Sequence, residues 1–484
     1  MAIDTAIKLL IYRRTKIVAT LGPSSKDAGT IERLINAGAN VFRLNMSHGT
    51  HDDHRETYQS IRAAADKLNK PIAVLADLSG PKIRIGKFPS GQIEIIEGDT
   101  VTVTTRDVEG SPGLIPSQYK ALADDVKIGD RILLDDGNFE LSVKAIDGTE
   151  IECLVINGGF LRDHKGMNLP GVEVSAPSLT EKDKVDAHFA LDLGVDFLAL
   201  SFVRRGSDIE DLRALVSETG STTYIIAKIE KPEALDNIND ILNVSDGIMV
   251  ARGDLGVELP PQSVPNTQAQ LISLTRKARK PVIVATQMLE SMMENPRPTR
   301  AEVSDVANAV RSGTDAVMLS GETAAGKYPV EAVKMMNDIA RQAEAYQWSQ
   351  GAFSSLTETR ETARPIPIED AISESMAQLS RDLMVRAIMV ISRQGRSLAV
   401  MSSSRPAAPI IGLCFDSAST RIANLLWGVI PVTVDPAETD DPKSLAKRFL
   451  QKLGLTGEGT TILVVKGFDS DPEQNMPSVT VVTV

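Results

Sequence analysis

Cysteine is nearly absent from this sequence of 484 residues, since Cys153 and Cys414 are its only two. Two thiols are too few for a disulfide framework or a thiolate zinc site, and they fit a reducing compartment. Long apolar runs are also missing, and the short run IKLLIY is followed at once by Arg13 and Arg14. We therefore expect neither a signal peptide nor a membrane span, and we predict a soluble cytoplasmic protein.

The sequence also has no excess of positive charge, and its formal net charge is −12 at pH 7. A nucleic acid or an anionic membrane would repel such a protein, so neither is expected as a partner. An anionic substrate would need a locally basic pocket or a metal ion. Histidine is scarce too, and the group at His48, His51 and His54 lacks the ligand pattern of a zinc site. We interpret that group as a loop followed by the start of a helix.

Eight short apolar runs that end in polar residues are spaced along the chain, with amphipathic segments between them. Continuous apolar strands that alternate with helices predict a parallel sheet covered on both faces. Eight such units in succession predict a (β/α)8 TIM barrel. The eight runs occupy residues 15–22, 40–47, 71–78, 195–202, 223–230, 246–253, 281–288 and 315–322.

Two segments depart from this pattern and predict further domains. Residues 79–194 separate the third and fourth runs, which is far longer than an ordinary βα connection, and their alternating segments predict an inserted small β-barrel domain that acts as a lid. After about residue 345 a polar stretch, TETRETARPIPIED, precedes five apolar runs that predict an open α/β domain. The predicted ranges are 1–84 and 177–345 for the barrel, 85–176 for the insertion and 346–484 for the C-terminal domain.

Charged side chains stand where the predicted strands end, which is the end at which barrel enzymes work. Glu230 and Asp254, on adjacent strands, offer the oxygen ligands that Mg²⁺ or Mn²⁺ prefers. Lys228 lies two residues before Glu230, and an ammonium beside a metal suits the charge that develops in phosphoryl transfer. Spacing alone predicts a metal-dependent enzyme for a small phosphorylated or carboxylated anion, and it does not name the substrate.

These segments also stand in the order found in one enzyme family. That order is kept by TKIVATLGPSS, RLNMSHGTH, DLSGPKIR, KGMNLPG, AKIEKPEAL, SDGIMVARGDLGVELP, ATQMLESMMENPRPTRAEVSDVANAV and DAVMLSGETAAGKYPVEAV. With these motifs the chain resembles the pyruvate kinases almost from end to end. The resemblance implies a glycolytic enzyme that moves the phosphoryl group of phosphoenolpyruvate onto ADP, giving pyruvate and ATP, with Mg²⁺ or Mn²⁺ as the cofactor. It also implies the same plan of barrel, inserted β domain and C-terminal α/β domain.

The resemblance implies a role for the residues that would act on the substrate. Glu230 and Asp254 hold the divalent metal, and Lys228 stabilises the phosphoryl group in transfer and the enolate left behind. The backbone amides of Gly253 and Asp254, with Thr286, hold the substrate carboxylate. Thr286 also lies near the proton path to the methylene carbon of the enolate.

The resemblance also implies contacts to the phosphate and the nucleotide. Arg43 grips the phosphate of the substrate. Asn45, His48, Arg84 and Lys165 contact the nucleotide, and Lys165 arrives from the lid. Closure of the lid would exclude water, which could otherwise take the phosphoryl group.

Lys82 departs from many members of the family, which hold K⁺ near Asn45, Ser47 and Asp77 and carry a glutamate at this place. The potassium-independent, bacterial-like members share the DLxGPK pattern of this chain. A lysine ammonium supplies the same unit charge as the monovalent ion. We therefore expect activity without added K⁺.

The loop SRQGRS resembles the one that holds an effector phosphate in some members. The segment KGFDSDPEQNMPS is acidic where relatives activated by fructose 1,6-bisphosphate are often basic, so we expect another phosphorylated sugar or nucleotide as the allosteric effector. The alternative is that the loop is only a turn. The family is usually a homotetramer, and we expect the same here. The loop residues are Ser392, Arg393, Gln394, Gly395, Arg396 and Ser397.

Two other functions remain open from the residues. A metal-dependent lyase or aldolase that handles pyruvate enolate would use the same carboxylates, although it would not need a lid, Arg84 or Lys165. A catalytically inactive sensor of sugar phosphates is the other alternative, and the presence of Lys228, Glu230 and Asp254 speaks against it.

Overall fold

The structure is a computed structural model that describes residues 10, 12–353, 356, 365–393, 395–455, 459–469, 471, 473 and 475–484. Its strands, numbered along the chain, form a closed barrel, two small sheets within an insertion and a five-stranded C-terminal sheet. The fold class predicted from the sequence is confirmed. Of the polar stretch predicted as a linker, residues 357–364 lie outside the described residues.

The barrel strands fall within the eight apolar runs. They are β1 (Lys16–Thr20), β2 (Val41–Asn45), β3 (Ala73–Asp77), β12 (Phe197–Leu200), β13 (Tyr224–Ile229), β14 (Gly247–Ala251), β15 (Val282–Ala285) and β16 (Ala316–Leu319). All pair in parallel, in the order β1-β16-β15-β14-β13-β12-β3-β2. Their interior is packed by side chains such as Leu75, Phe197 and Met249. Open space is therefore left at the mouth, beyond the carboxyl ends of the strands.

Helices cover the outside of the barrel, and short polar motifs set where several of them begin. Thr50 and Asp53 form a reciprocal capping box at the first turn of α2, and Thr180 and Asp183 do the same for α4. The predicted helix start in the histidine group is thus confirmed. The helices are α1 (Ala28–Ala37), α2 (His51–Leu68), α4 (Glu181–Leu193), α5 (Gly206–Glu218), α6 (Pro232–Asp236), α7 (Ile238–Val244), α8 (Arg252–Glu258), α9 (Val264–Lys277), α10 (Arg300–Arg311), α11 (Gly321–Ala324) and α12 (Pro329–Ser349), with 3-10 turns at Pro261–Ser263 and Glu290–Met293.

The insertion leaves the barrel after β3 and returns before α4. Its strands form a two-stranded sheet, β10-β4, and a six-stranded sheet, β11-β7-β8-β9-β5-β6, around an apolar core of their own. These elements are β4 (Gln92–Ile95), β5 (Thr100–Thr104), β6 (Leu114–Pro116), α3 (Leu122–Asp125), β7 (Arg131–Leu134), β8 (Phe139–Asp147), β9 (Glu150–Asn157), β10 (Gly159–Arg162) and β11 (Met167–Asn168).

The C-terminal sheet has the strand order β19-β18-β17-β20-β21, with only β21 antiparallel. Its elements are α13 (Ile368–Asp382), β17 (Ile388–Ile391), α14 (Arg396–Ser403), β18 (Ile410–Cys414), α15 (Ser417–Ala423), β19 (Val429–Thr433), a 3-10 turn (Pro436–Asp440), α16 (Pro442–Lys452), β20 (Thr461–Lys466) and β21 (Ser478–Thr483). Cys153 and Cys414 are free and buried in strands. In the described part of the chain, no helix is long and apolar enough to cross a membrane.

Candidate active site

Lys228 stands at the centre of the charges at the barrel mouth. Its ammonium lies 2.7 Å from the Ser201 hydroxyl, 2.9 Å from Glu230 Oε1 and 3.3 Å from Asp77 Oδ1. Burial opposes the charge on this lysine, but Asp77 and Glu230 outweigh it and hold the Lys228 pKa above its ordinary value. A fixed positive charge is therefore present at the mouth before any ligand arrives.

Asp77 joins Lys228 to Arg43. Its Oδ2 accepts a hydrogen bond of 2.6 Å from Arg43 Nε, and a second Arg43 nitrogen donates to the Thr20 hydroxyl at 3.2 Å. Burial would raise the pKa of Asp77, yet Lys228 and Arg43 hold it below the ordinary range. The sequence placed Asp77 only beside a monovalent cation. In the structure this buried carboxylate orients both cations that were predicted to act on the substrate.

Glu230 directly follows β13, and Asp254 lies in the first turn of α8, which follows the paired strand β14. The prediction that both residues lie on adjacent strands is corrected in this detail, because β14 ends at Ala251 and the chain is helical from Arg252. Glu230 is 1% exposed, and its Oε2 accepts a hydrogen bond of 2.7 Å from the Phe202 amide. Burial, followed by repulsion from Asp254, raises the Glu230 pKa against the opposing effect of Lys228. Two carboxylates that repel each other in a desolvated site fit a divalent cation, which would remove that repulsion.

Within the described residues, no group of three or more His, Cys, Asp or Glu side chains could hold a metal ion. Two protein carboxylates therefore have to be complemented by water and substrate oxygens. Mg²⁺ and Mn²⁺ accept this arrangement, since Mg²⁺ in particular keeps several waters and binds through few carboxylates. The donor set of Glu230 and Asp254 thus fits such an ion.

A strained turn places Thr286 against the first turn of α8. Thr286 and Gln287 have φ angles of 69° and 52°, a left-handed conformation that is costly for a β-branched residue. The Thr286 hydroxyl accepts a hydrogen bond of 2.7 Å from the Gly253 amide. Two of the three groups predicted to hold the substrate carboxylate, the Gly253 amide and Thr286, therefore meet in the structure.

Arg252 stabilises this turn, which the sequence did not reveal. Its guanidinium donates to the carbonyl oxygens of Thr286 at 2.6 Å and Ala285 at 3.3 Å, and it pairs with Asp305 Oδ2 at 2.6 Å. The sequence offered one signal, namely an arginine at the end of an apolar strand. Its partner Asp305 lies on another helix and could not be assigned from spacing.

A cleft of about 350 Å³ opens between the barrel mouth and the insertion. Lys82, Arg84 and Asp254 line it, and the insertion contributes Lys165, whose ammonium lies 2.8 Å from Asp135 Oδ1. Two of the predicted nucleotide contacts, Arg84 and Lys165, thus share one cavity. The cleft is wide enough for an anionic ligand and supplies the basic pocket that a protein of negative net charge needs.

Lys82 lies in the electrostatic field of Lys228 and of the carboxylates Asp254 and Asp77. Burial within the cleft, and then repulsion from Lys228, lowers its pKa, while Asp254 and Asp77 oppose that shift. The predicted neighbours Asn45 and Ser47 interact with each other through the Ser47 amide, which donates to Asn45 Oδ1 at 3.2 Å.

His48 is exposed and does not line the cleft, and neither does Asn45. Partial desolvation of the ring, followed by the nearby cations Lys82, Arg84 and Arg43, lowers the His48 pKa below its ordinary value. Two of the four predicted nucleotide contacts, Arg84 and Lys165, therefore line the cleft, whereas Asn45 and His48 lie outside its lining.

The predicted effector loop begins after β17. Ser392 and Ser397 are buried, Arg393 is exposed and Gly395 has a φ of 78° before the first residue of α14. Arg396 pairs with Glu369 at 3.2 Å. Gln394 lies outside the described residues.

A closed parallel barrel with an ammonium, a guanidinium and two carboxylates at its rim has the charges that suit a barrel phosphotransferase. Family models described as the barrel domain and the alpha/beta domain of pyruvate kinase match residues 12–333 and 370–481. The chain belongs to the pyruvate kinase family. The family and the enzyme class predicted from the sequence are thereby confirmed.

Individual relatives agree with this assignment. The pyruvate kinase of Staphylococcus aureus strain USA300 is 46% identical over 458 residues, which span 94% of this chain and 78% of that protein. The pyruvate kinase of strain MRSA252 is 48% identical with the same coverage. A crystal structure of a pyruvate kinase from Cryptosporidium parvum has a TM-score of 0.90 at 35% identity and covers 99% of this chain and 97% of that one.

Proposed function

We propose that the barrel mouth transfers the phosphoryl group of phosphoenolpyruvate to ADP, giving pyruvate and ATP, with Lys228 as the central catalytic group. The observation that carries this proposal is the Lys228 ammonium, held within 3.3 Å of Asp77, Glu230 and Ser201. Charge that develops on a transferring phosphoryl group is stabilised best by donors fixed before the reaction. Lys228 meets that requirement.

The remaining rim residues bind and orient the substrate. Arg43 binds the phosphate, while Thr286 and the Gly253 amide hold the carboxylate. Glu230 and Asp254 would hold Mg²⁺ or Mn²⁺, which when bound supplies a Lewis acid for the enolate oxygen. The Thr286 hydroxyl also lies near the proton path to the methylene carbon in this proposal, which its contact with the Gly253 amide supports.

Arg84 and Lys165 bind the nucleotide in the cleft, with Asn45 and His48 at its margin. Because Lys165 belongs to the insertion and Arg84 to its base, ADP joins the two sides of the cleft. We propose that residues 85–176 then close as a lid and exclude water from the phosphoryl group. The ranges 1–84, 177–345 and 346–484 are proposed as the two parts of the barrel domain and the C-terminal domain.

Lys228→Met tests the proposal. Removal of the fixed charge should lower kcat on the order of a thousandfold, as the loss of a transition-state donor does elsewhere. The assay follows pyruvate with lactate dehydrogenase, with and without ADP. Lys184→Met, at an exposed pair with Glu181, is the control and should keep full activity. Full turnover by Lys228→Met would refute the assignment, and pyruvate formation without ADP would favour a lyase or aldolase instead.

We also propose that Lys82 replaces the monovalent cation. Its support is the position of the ammonium in the cleft, where Asp77 and Asp254 act on its pKa. Turnover in sodium or Tris buffer should therefore rise less than about twofold when KCl is added. Lys82→Glu should lose activity and regain it with KCl. A large rise with KCl in the wild-type protein would refute this role.

For regulation, we propose that the loop at Ser392–Ser397 binds the phosphate of an allosteric effector and that the enzyme is a homotetramer. The exposed Arg393 beside the start of α14 supports the phosphate site. AMP, ribose 5-phosphate and glucose 6-phosphate are titrated at subsaturating phosphoenolpyruvate, with Arg393→Ala as the comparison. No response to any of them would remove the effector proposal. Analytical ultracentrifugation tests the tetramer, and a monomer would contradict it.

A further inference from the structure

A second ion pair joins the two elements that carry the proposed metal ligands. Lys231 directly follows Glu230, and Glu258 lies one helical turn after Asp254 on α8. The Lys231 ammonium is 2.6 Å from Glu258 Oε1, and the two side chains are 11% and 1% exposed. The pair therefore connects the end of β13 to α8. On β13 the connection lies one residue after the proposed ligand Glu230, and on α8 it lies one helical turn after the proposed ligand Asp254.

The insertion covers this pair. Asn168 of β11 donates to Glu258 Oε1 at 3.4 Å, and a Cβ atom at Gly137 would lie 3.9 Å from Val257 of α8. Glu258 Oε2 is buried and has no hydrogen-bond partner among the described residues. A buried ion pair with an unsatisfied oxygen is a poor device for stability, because the desolvation of both charges offsets their attraction. The position of the Lys231–Glu258 pair beside the proposed metal ligands therefore suggests a role other than stability.

The geometry of α8 explains why Asp254 needs such support. The helix has seven residues, starts directly after β14, and has no side chain that caps its first turn. A helix this short has little intrinsic stability. Its first turn nevertheless has to present Asp254 at a fixed distance from Glu230 if one cation is to contact both carboxylates.

We propose that Lys231 and Glu258 are positioning residues for the divalent metal. The pair ties the end of β13 to the last turn of α8 and so fixes the spacing between Glu230 and Asp254. This inference rests on the proposed function, which assigns the metal to those two carboxylates. Neither Lys231 nor Glu258 belongs to the proposed pair of metal ligands.

The test measures the dissociation constant of Mn²⁺ from the full-length protein without substrate, by electron paramagnetic resonance of the free ion. Lys231→Met and Glu258→Leu each leave a buried charge without its partner, so both should lower the thermal midpoint and weaken Mn²⁺ binding. The double variant removes both charges, and its thermal midpoint should recover. Its Mn²⁺ affinity should remain about tenfold weaker than that of the wild type, which is the size of loss expected when a residue that orients a metal ligand is removed.

The matched control is the exposed pair Lys327–Glu294, whose side chains are 64% and 68% exposed. Lys327→Met with Glu294→Leu should leave Mn²⁺ affinity unchanged. If the affinity of the Lys231 and Glu258 double variant recovers together with its thermal midpoint, the pair is only structural and the proposal is overturned. If the wild-type protein binds no Mn²⁺, the proposed metal site itself is wrong. That outcome differs from the one in which the site binds Mn²⁺ but the pair does not affect the affinity.

Discussion

Replacement of Arg252 by methionine tests whether the strained turn after β15 is needed for activity. The guanidinium donates to the Thr286 and Ala285 carbonyl oxygens at 2.6 and 3.3 Å and is itself held by Asp305 at 2.6 Å. Without these bonds, we expect the turn to relax and the Thr286 hydroxyl to leave the Gly253 amide. The substrate carboxylate would then lose its prepared site.

The size of the effect follows from the balance of strain and hydrogen bonding. Two residues in the left-handed region cost about 1–3 kcal/mol each, so the turn stores roughly 2–6 kcal/mol. Hydrogen bonds from a charged donor contribute about 1.5–3 kcal/mol each, so the bonds from Arg252 to the carbonyl oxygens of Thr286 and Gln287 are together of similar size. Their loss should make the active conformation a minor one. A shift of about 3–4 kcal/mol corresponds to a decrease in kcat of about a hundredfold to a thousandfold.

The assay is steady-state pyruvate formation with ADP, recorded together with the thermal midpoint. Arg252→Lys keeps the charge but only part of the hydrogen bonding, so its kcat should lie between those of the wild type and Arg252→Met. Arg55→Met is the control, because Arg55 pairs with an Asp52 side chain that is 90% exposed. The reasoning would fail if Arg252→Met kept kcat within about threefold of the wild type while its thermal midpoint stayed the same.

Two further predictions concern buried titratable groups. Lys16 is 5% exposed and its ammonium donates to the Val429 carbonyl, and burial, then Arg13, lowers its pKa to about 7. Between about pH 7 and 10 the unfolded state then binds more protons than the folded state, so stability should rise with pH. The free energy of unfolding of the wild type, measured by urea denaturation relative to Lys16→Met, should increase by up to about 1.4 kcal/mol per pH unit. A difference that does not change with pH would contradict this. Burial raises the pKa of Cys153 to about 12 and of Cys414 to about 11. A thiol reagent at neutral pH should label neither in the native protein and both after unfolding, and labelling of native protein would show that one of them is accessible.

The barrel could be predicted because its strands carry a local signal. Runs such as residues 223–230 are apolar on both faces and end in polar residues, which is what a strand between helices and a packed interior requires. The rim residues Lys228 and Glu230 could be predicted for the same reason, since alternation along the strand places them on one face. The position of Asp254 at the end of the sixth apolar run could also be predicted, although the helix α8 that starts at Arg252 was not.

Contacts between distant segments could not be predicted. Arg252 and Asp305 are 53 residues apart, and Lys231 and Glu258 are 27 apart. No spacing rule pairs such residues, because the contact depends on how helices pack around the barrel. The left-handed backbone at Thr286 was equally hidden, since the sequence favours an extended β-branched residue there. It is held only by tertiary contacts that outweigh its local preference.

Asp77 shows how the site keeps its cations in place before a ligand binds. This carboxylate is 1% exposed and lies 2.6 Å from Arg43 and 3.3 Å from Lys228, so one anion orients two cations. Removal of Asp77 would leave two neighbouring positive charges that repel each other in a desolvated site. Both would then turn towards solvent or other carboxylates and would have to be reoriented by the substrate. Since donors act best when no reorganisation is needed, we expect Asp77 to support catalysis by holding Arg43 and Lys228 in place.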